Sequence, residues 1–443
     1  MSPTPSTPRP LTRRGFLTAA TATAGLALSA CAGMGGSTGV GGDPHTIVFW
    51  SNHPGTSKNQ ETELINRFQA RNPELTVKLV DAGRNYEEVA QKFNAALTGG
   101  ALPDVVVLSD VWWFNYALNK AIEPLDEHIA AARVPMSDYV DSFVDDYRFD
   151  GKLWALPYAR STQIFCYNRG LWARAGLPDR GPRSWQEFDE WGPELQRAIG
   201  AGKWAHGWGD AKNYLAWTFQ GPNWTFGGAY SDNWTLKFTD PHTLAAGNFL
   251  RDMIVRKRYA SIRPQVAVDF GTGVVGSAIT STGDIKGIVA NAAGTLDFAT
   301  AFLPHPNGPG CTTGGAGLAI PSRISDQRKS NALRFIEFLT NPANTAYFSQ
   351  ATGYIPVRKS AVSDPSEQQF LTANRNFATA VDQLPLTRSQ DYARVFLPGA
   401  DQIIGTGLEQ IGLQNREVSA AFADINDRLQ TIYDRQIGPK LPK

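Results

Sequence analysis

The sequence predicts an α/β fold. Three observations predict it: short apolar runs recur along the chain, stretches of helical periodicity lie between them, and turn residues punctuate the joins. Thr46 to Trp50 places Ile47, Val48, Phe49 and Trp50 in a row, as a buried strand does. A turn at His53, Pro54 and Gly55 follows, and Glu61 to Arg71 then carries Leu64, Ile65 and Phe68 at helical spacing until Pro73 stops it. Leu75 to Val80 reads as a second strand, and Tyr86 to Leu97 as a helix with Val89, Phe93 and Leu97 on one face. Pro103 introduces a third strand at Val105, Val106, Val107 and Leu108. Strands alternating with helices give βαβ units and a parallel sheet, whose ligand sits beyond the carboxyl ends of the strands. Asp110 lies just past one such end, and Tyr86 opens the helix after another.

The rest of the chain continues the pattern less regularly. Phe149, Asp150 and Gly151 mark a tight turn, and a strand is expected from Gln163 to Tyr167. Trp185 to Ile199 is a helix with Ser184 as its N-cap. Residues 204–234 are dense in aromatics interleaved with Gly, Pro and Asn, which puts some of the rings in the core and some on loops. Pro241 to Val255 resumes helix, and Leu296 to Phe302 is a strand ending at Pro304. Gly314, Gly315, Ala316 and Gly317 form a Gly-rich approach to a strand. Gln327 to Thr340 is an amphipathic helix, and residues 418–433 form the last one.

The amino terminus carries an address. Thr12, Arg13, Arg14, Gly15, Phe16 and Leu17 form a twin-arginine export signature. A run of small and apolar residues follows and ends in Leu28, Ser29, Ala30 and Cys31, the form of a lipobox. The run contains Gly25 and several Thr and falls short of the ~20 residues that span a bilayer, which favours a cleaved signal over a lone membrane anchor. Residues 1–31 are therefore expected as the signal, with Cys31 lipidated, and 32–45 as a Gly- and Ser-rich flexible linker. The mature protein is expected outside the cytoplasm, held to the cell membrane by lipid.

Composition narrows the function further. Forty-two Lys and Arg face 41 Asp and Glu, which argues against a nucleic-acid partner. Only Cys166 and Cys311 follow Cys31. Export by the twin-arginine route carries proteins already folded in a reducing compartment, so two buried thiols are expected over a disulfide. The six His are scattered without metal-ligand spacing, no G-x-S-x-G elbow appears, and no pair of carboxylates is marked out by context, so neither an enzyme nor a metal site is expected. The twelve Trp fill cores, but aromatics also build sites for sugars and cations.

Several phrases carry a resemblance over essentially the whole mature chain. They are Asp81 to Tyr86 (DAGRNY), Tyr158 to Thr162 (YARST), Thr218 to Trp224 (TFQGPNW), Gly314 to Pro321 (GGAGLAIP), Thr352 to Val357 (TGYIPV) and Asp391 to Pro398 (DYARVFLP). With the lipobox and the βαβ half, they resemble the extracellular solute-binding lipoproteins of ABC importers. Within these, the sequence is similar to the actinobacterial glycerophosphodiester-binding branch, related to the glycerol-3-phosphate binders. The resemblance implies a two-lobe periplasmic-binding-protein-like α/β fold with a hinge and an interlobe ligand cleft. It places 46–155 and 296–323 in lobe I, and 156–295 and 324–443 in lobe II, with the hinge near Pro157 and near 294–302. It also implies a monomer without a cofactor, delivering a glycerophosphodiester to two permease subunits driven by a cytoplasmic ATPase.

A glycerophosphodiester asks for three chemistries. Phosphate needs positive charge and donors, and Arg394 offers a planar fork, unless it is only an ion-pair partner of Asp391. Gly315 lets a backbone N–H approach, since it has no Cβ. Ser161 and Ser281 supply hydroxyls, and Tyr354 a phenol, at positions matching the family's binding set. A quaternary ammonium head group asks for aromatic faces and a carboxylate, which the resemblance assigns to Tyr86, Tyr214, Trp217 and Asp110. The Tyr214 position varies in the family, so choline preference stays open. The alternative within binding proteins is an oligosaccharide receptor, whose sugar rings would suit the same aromatics.

Overall fold

The computed structural model describes residues 42–52, 54–306 and 310–442. The expected signal with Cys31, and residues 32–41 of the expected linker, lie outside them. Among the described residues no helix is long and apolar enough to cross a membrane.

A ten-stranded sheet runs through the protein. Its strands in chain order are β1 (Thr46–Ser51), β2 (Thr76–Asp81), β3 (Val105–Ser109), β4 (Leu156–Asn168), β5 (His206–Gly209), β6 (Ala260–Arg263), β7 (Ser277–Ser281), β8 (Phe298–Ala301), β9 (Cys311–Ala319) and β10 (Thr387–Arg388). The spatial order is β6-β5-β7-β4-β9-β3-β1-β2, with β8 beside β4 and β10 beside β9. The helices that bear on the site are α1 (Pro54–Arg71), α2 (Tyr86–Leu97), α3 (Leu215–Thr225), α4 (Asp326–Leu339), α5 (Pro342–Thr352), α6 (Tyr392–Val395) and α7 (Ala400–Leu413).

The expected βαβ start is present. β1 pairs in parallel with both β2 and β3, and β3 is buried along its whole length, as its unbroken Val-Val-Val-Leu run requires. The helix after β1 opens at Pro54, earlier than Glu61, and kinks at Ser57, where φ is −130°. Proline fits a first helical turn because its missing N–H is unsatisfied there anyway, so Pro54 starts the helix in place of the expected turn. α2 spans Tyr86–Leu97 as expected, capped by Asn85, whose Oδ1 accepts from Glu88 N–H at 2.9 Å.

β4 is the element that joins the two halves. Its first part pairs antiparallel with β9 (Leu156 with Leu318, Thr162 with Thr313), and its second part pairs with β7 and β8 (Phe165 with Ile279 and Ala301). One thirteen-residue strand, buried at twelve positions, thus belongs to both halves of the sheet. The sequence reading saw only Gln163 to Tyr167 of it, because Pro157, Arg160 and Ser161 interrupt the apolar pattern. The Gly-rich stretch is likewise inside β9, not an approach to it.

Two segments near the expected lobe boundaries make contacts with the other half of the sheet. Residues 296–303, assigned to lobe I, pair through β8 with the second part of β4 and hold Asn376 and Thr379 through Thr300. Residues 324–362, assigned to lobe II, pack on the first half. Phe335 of α4 meets Phe49 and Phe68 edge-on at 5.5 and 5.0 Å, and Arg358 donates to Pro135 O. The amphipathic pattern of 327–340 showed that α4 has an apolar face, but not which sheet half covers it.

Cys166 and Cys311 are both buried free thiols. Cys166 pairs in register with Ala278 and Thr300, while the Cys311 thiol donates to Gln163 O at 3.4 Å. Burial pushes the Cys311 thiol up to about 12 and Cys166 higher still, so neither is a reactive thiolate.

Candidate functional site

A cavity of about 680 Å³ lies where the two halves of the sheet meet. Tyr86, Asp110, Ser161, Tyr214, Trp217, Ser281, Gly315, Tyr354 and Arg394 all line it, so the structure brings together every one of the residues expected from sequence. They come from far apart in the chain, and each is placed by a local device.

Asp110 follows β3, and its N–H donates to Gly315 O at 3.2 Å. Gly315 sits at a bulge of β9 with φ +108°, and a Cβ there would lie 2.0 Å from Ala159 O. Glycine is therefore required by the close packing of β9 on β4. Gly314 beside it faces Ser161 on β4 and leaves room for the Trp217 ring, whose Nε1–H donates to Thr313 O at 3.0 Å. Tyr214 stands one residue before α3 in the left-handed region, φ +63°, and is 39 % exposed. The Asp210 carboxylate, accepting from Asn213 N–H at 2.8 Å, pins that turn. Ser281 ends β7 and opens a capping box: its Oγ accepts from Gly283 N–H at 3.2 Å, and Asp284 accepts in return from Ser281 N–H at 3.2 Å. Tyr354 follows Gly353, the C-cap of α5, and stacks on Phe348 with ring planes 3° apart, which in turn stacks on Tyr158. The Tyr86 and Tyr354 phenols are hydrogen-bonded partners, joining α2 to that stack.

Arg394 lies in α6 and is 4 % exposed. Its ion-pair partner is Asp401 at 2.7 Å, the first-turn carboxylate of α7, and not Asp391. Asp391 instead accepts from Trp224 Nε1–H at 3.1 Å and from Tyr230 N–H at 2.7 Å. The Arg394 Nε is buried and has no hydrogen-bond partner among the described residues.

Charge in the cavity is mixed. Its lining includes the carboxylates Glu87, Asp110, Asp284 and Asp401 and the cations Lys286 and Arg394. Asp110 is already compensated: Arg160 Nη1 donates to its Oδ1 at 2.5 Å and Gln390 Nε2 to its Oδ2 at 2.8 Å. Burial pushes the Glu87 and Asp284 carboxyls above their ordinary range, and the Asp401 charge adds to the shift of Glu87. Glu87, Asp284 and Asp401 were not singled out from sequence. Two signals pointed to them: Glu87 follows Tyr86 in the first helical turn, and Ser281-Thr-Gly-Asp284 has the spacing of a capping box. Asp401 had no such signal. A second cavity, of about 230 Å³, shares Tyr214, Trp217 and Ser281 with the first and extends past Thr218 and Gln265.

Residues 63–379 of the chain match a known family, that of the bacterial extracellular solute-binding proteins. The chain belongs to this family. This solute-binding protein is 26 % identical over 358 residues to the sn-glycerol-3-phosphate-binding periplasmic protein UgpB of Escherichia coli K12, covering 76 % of this chain and 80 % of that one. It is 58 % identical, with a TM-score of 0.86, to the crystal structure of UgpB from Mycobacterium tuberculosis in complex with glycerophosphocholine, covering 90 % of this chain and all of that one. It also shares its fold, at 19 % identity and a TM-score of 0.75, with the GacH receptor of Streptomyces glaucescens, over 88 % of this chain and 98 % of that one. The two-lobe solute-binding fold is therefore the fold of this protein, and β4 is a strand common to both lobes.

Proposed function

We propose that this protein captures glycerophosphodiesters, glycerophosphocholine among them, in its interlobe cleft and delivers them to an ABC permease. The observation that carries the reading is the convergence of all nine expected binding residues on one cavity, with the buried cation Arg394 among them. The 58 % identity to a protein crystallised with glycerophosphocholine supports it.

The chemistry divides along the cleft. Arg394 supplies charge and a donor to the phosphate, and a guanidinium does this in a partly dry site with little lost freedom. Ser161 and Ser281 serve phosphate or glycerol oxygens, each as donor or acceptor. Tyr86, Tyr214, Trp217 and Tyr354 present ring faces to a quaternary ammonium, which is attracted to the negative face of an aromatic ring. Asp110 lends only part of its charge, because Arg160 holds one oxygen. Lobe closure about β4 completes the site, since the residues come from both lobes.

We read residues 1–31 as a twin-arginine lipoprotein signal, so that Cys31 tethers the monomer to the membrane and 32–45 give it slack. A tether raises the effective concentration of a receptor at its permease. The protein is a carrier and not an enzyme: what leaves the cleft is what entered it.

Calorimetry with glycerophosphocholine, glycerophosphoinositol, glycerol 3-phosphate and maltose tests the reading, with product analysis of the recovered ligand. Binding of the phosphodiesters, returned intact, is expected. Tight binding of maltose with no response to any glycerophosphodiester overturns it in favour of an oligosaccharide receptor.

A further inference from the structure

Gln390 is 6 % exposed and bonds to two residues that line the cavity, Asp110 and Arg394. Its Nε2 donates to Asp110 Oδ2 at 2.8 Å, and its Oε1 accepts from Arg394 Nη1. Asp110 follows β3, in the half of the sheet that begins with β1. Arg394 belongs to α6, which is anchored to the other half: Asp391 N–H donates to Gln220 on α3, and Ala393 N–H to Ser231 Oγ. One amide thus spans the lobes and touches a cavity-lining residue at each end. The chain continues in both directions, from Asp110 through Arg160 to Asp146 and from Arg394 to Asp401.

We propose that Gln390 is a positioning residue of the ligand site, setting Asp110 and Arg394 in one mutual register so that the head-group and phosphate ends are fixed together. The inference rests on the functional reading above and deepens it. A carboxamide is the side chain this position needs. Asp110 accepts and so asks for a donor, whereas Arg394 donates and so asks for an acceptor; an amide carries both in one plane. With Gln390 on Nη1 and Asp401 on Nη2, the guanidinium plane is held. An ionised glutamate at the position offers only acceptors: it repels Asp110 and competes with ligand phosphate for Arg394. A protonated glutamate has one O–H donor and one carbonyl acceptor, and so reproduces the amide.

That difference supplies a readout that loss of packing does not move. Glycerophosphocholine affinity is measured by calorimetry for the wild type, Gln390→Leu and Gln390→Glu between about pH 8 and about pH 5, a range that approaches the ordinary glutamate pKa of ~4.3. The charged or titratable groups around the position are Asp110, Asp146, Tyr147 and Arg160 on one side, Arg394, Asp401 and Glu87 on the other, and Arg388 and Asp391 on its own segment. They are common to all three proteins, so the variant-to-wild-type ratio at each pH isolates residue 390. Arg394 lowers the pKa of the introduced carboxyl, while burial, the Asp110 charge and the competition of ligand phosphate for that guanidinium raise it, so the ligand-bound form takes up the proton first as pH falls.

Gln390→Leu is expected to weaken binding about tenfold to a hundredfold at every pH, the span of one hydrogen bond to a charged group. Gln390→Glu is expected to bind weakly at high pH and to regain most of the wild-type affinity as pH falls. A Gln390→Glu ratio that stays flat across the range overturns the proposal, as does wild-type affinity in Gln390→Leu. If Gln390→Leu does not fold, the glutamate ratio decides alone. A wild-type protein that binds no glycerophosphodiester overturns the functional reading itself, a result separate from either.

Discussion

Arg160 Nη1 lies 2.5 Å from Asp110 Oδ1, and its Nη2 donates to Asp146, so one fully buried guanidinium holds two carboxylates at the strand shared by the lobes. Burial pushes the Asp146 carboxyl up to about 6 in spite of Arg160, and the nearby Asp110 charge adds to the rise. Removing the cation strands both acids. Arg160→Met is expected to cost about 3–5 kcal/mol, the range for breaking a buried ion pair on one side. Urea denaturation at pH 7 measures it, and a loss under about 1 kcal/mol, the level of a surface pair, contradicts it.

Glu61 is a second buried acid, on α1. Its Oε1 accepts from Ser51 Oγ at 2.8 Å and from Tyr158 at 3.2 Å, while Oε2 has no hydrogen-bond partner. Burial pushes the carboxyl up to about 8. Below the unfolded value of ~4.3 both states hold the proton and nothing is lost. As pH rises from there to about 8, the unfolded chain ionises first, so stability falls across that window. Glu61→Gln keeps an acceptor for Ser51 and Tyr158 and cannot ionise. Its melting temperature should fall less than that of the wild type between pH 5 and pH 8, and parallel curves would show that Glu61 does not titrate there.

Arg394→Ala is expected to weaken glycerophosphocholine binding by about 1.5–3 kcal/mol, the worth of a hydrogen bond to a charged group. Calorimetry reads it, with a melting curve alongside because Asp401 loses its partner. Unchanged affinity removes Arg394 from the site.

Gly315→Ala is expected to destabilise the protein by about 1–3 kcal/mol, the cost of forcing a side chain into a rare backbone region. Its φ is +108°, and the new Cβ would meet Ala159 O at 2.0 Å. A thermal melt measures the loss. A variant as stable as the wild type would mean that the β9 bulge relaxes freely.

Local pattern carried much of this. The Val105 to Leu108 run, the Asn85-capped helix from Tyr86 and the Ser184-capped helix were legible because each is decided by residues within a few positions. The sequence pattern does not show α3 as a helix, since Gly221 and Pro222 interrupt it, and tertiary contact overrides them: a Cβ at Gly221 would lie 2.2 Å from Gly310 O. Pro54 misled for the opposite reason, a turn residue that also suits a helix start.

By itself the sequence determined an α/β chain with a balanced charge, and it offered the export address proposed above and nine candidate binding residues, the last by phrases shared with a family. The tertiary structure decided which half of the sheet 324–362 covers, that Arg394 pairs with Asp401, and that Gln390 bridges Asp110 and Arg394. Strand and helix follow from short-range periodicity and capping. An ion pair between β3 and β4, or an amide reaching across a cleft from 280 residues away, depends on where the folded backbone brings side chains together. No local pattern encodes that distance.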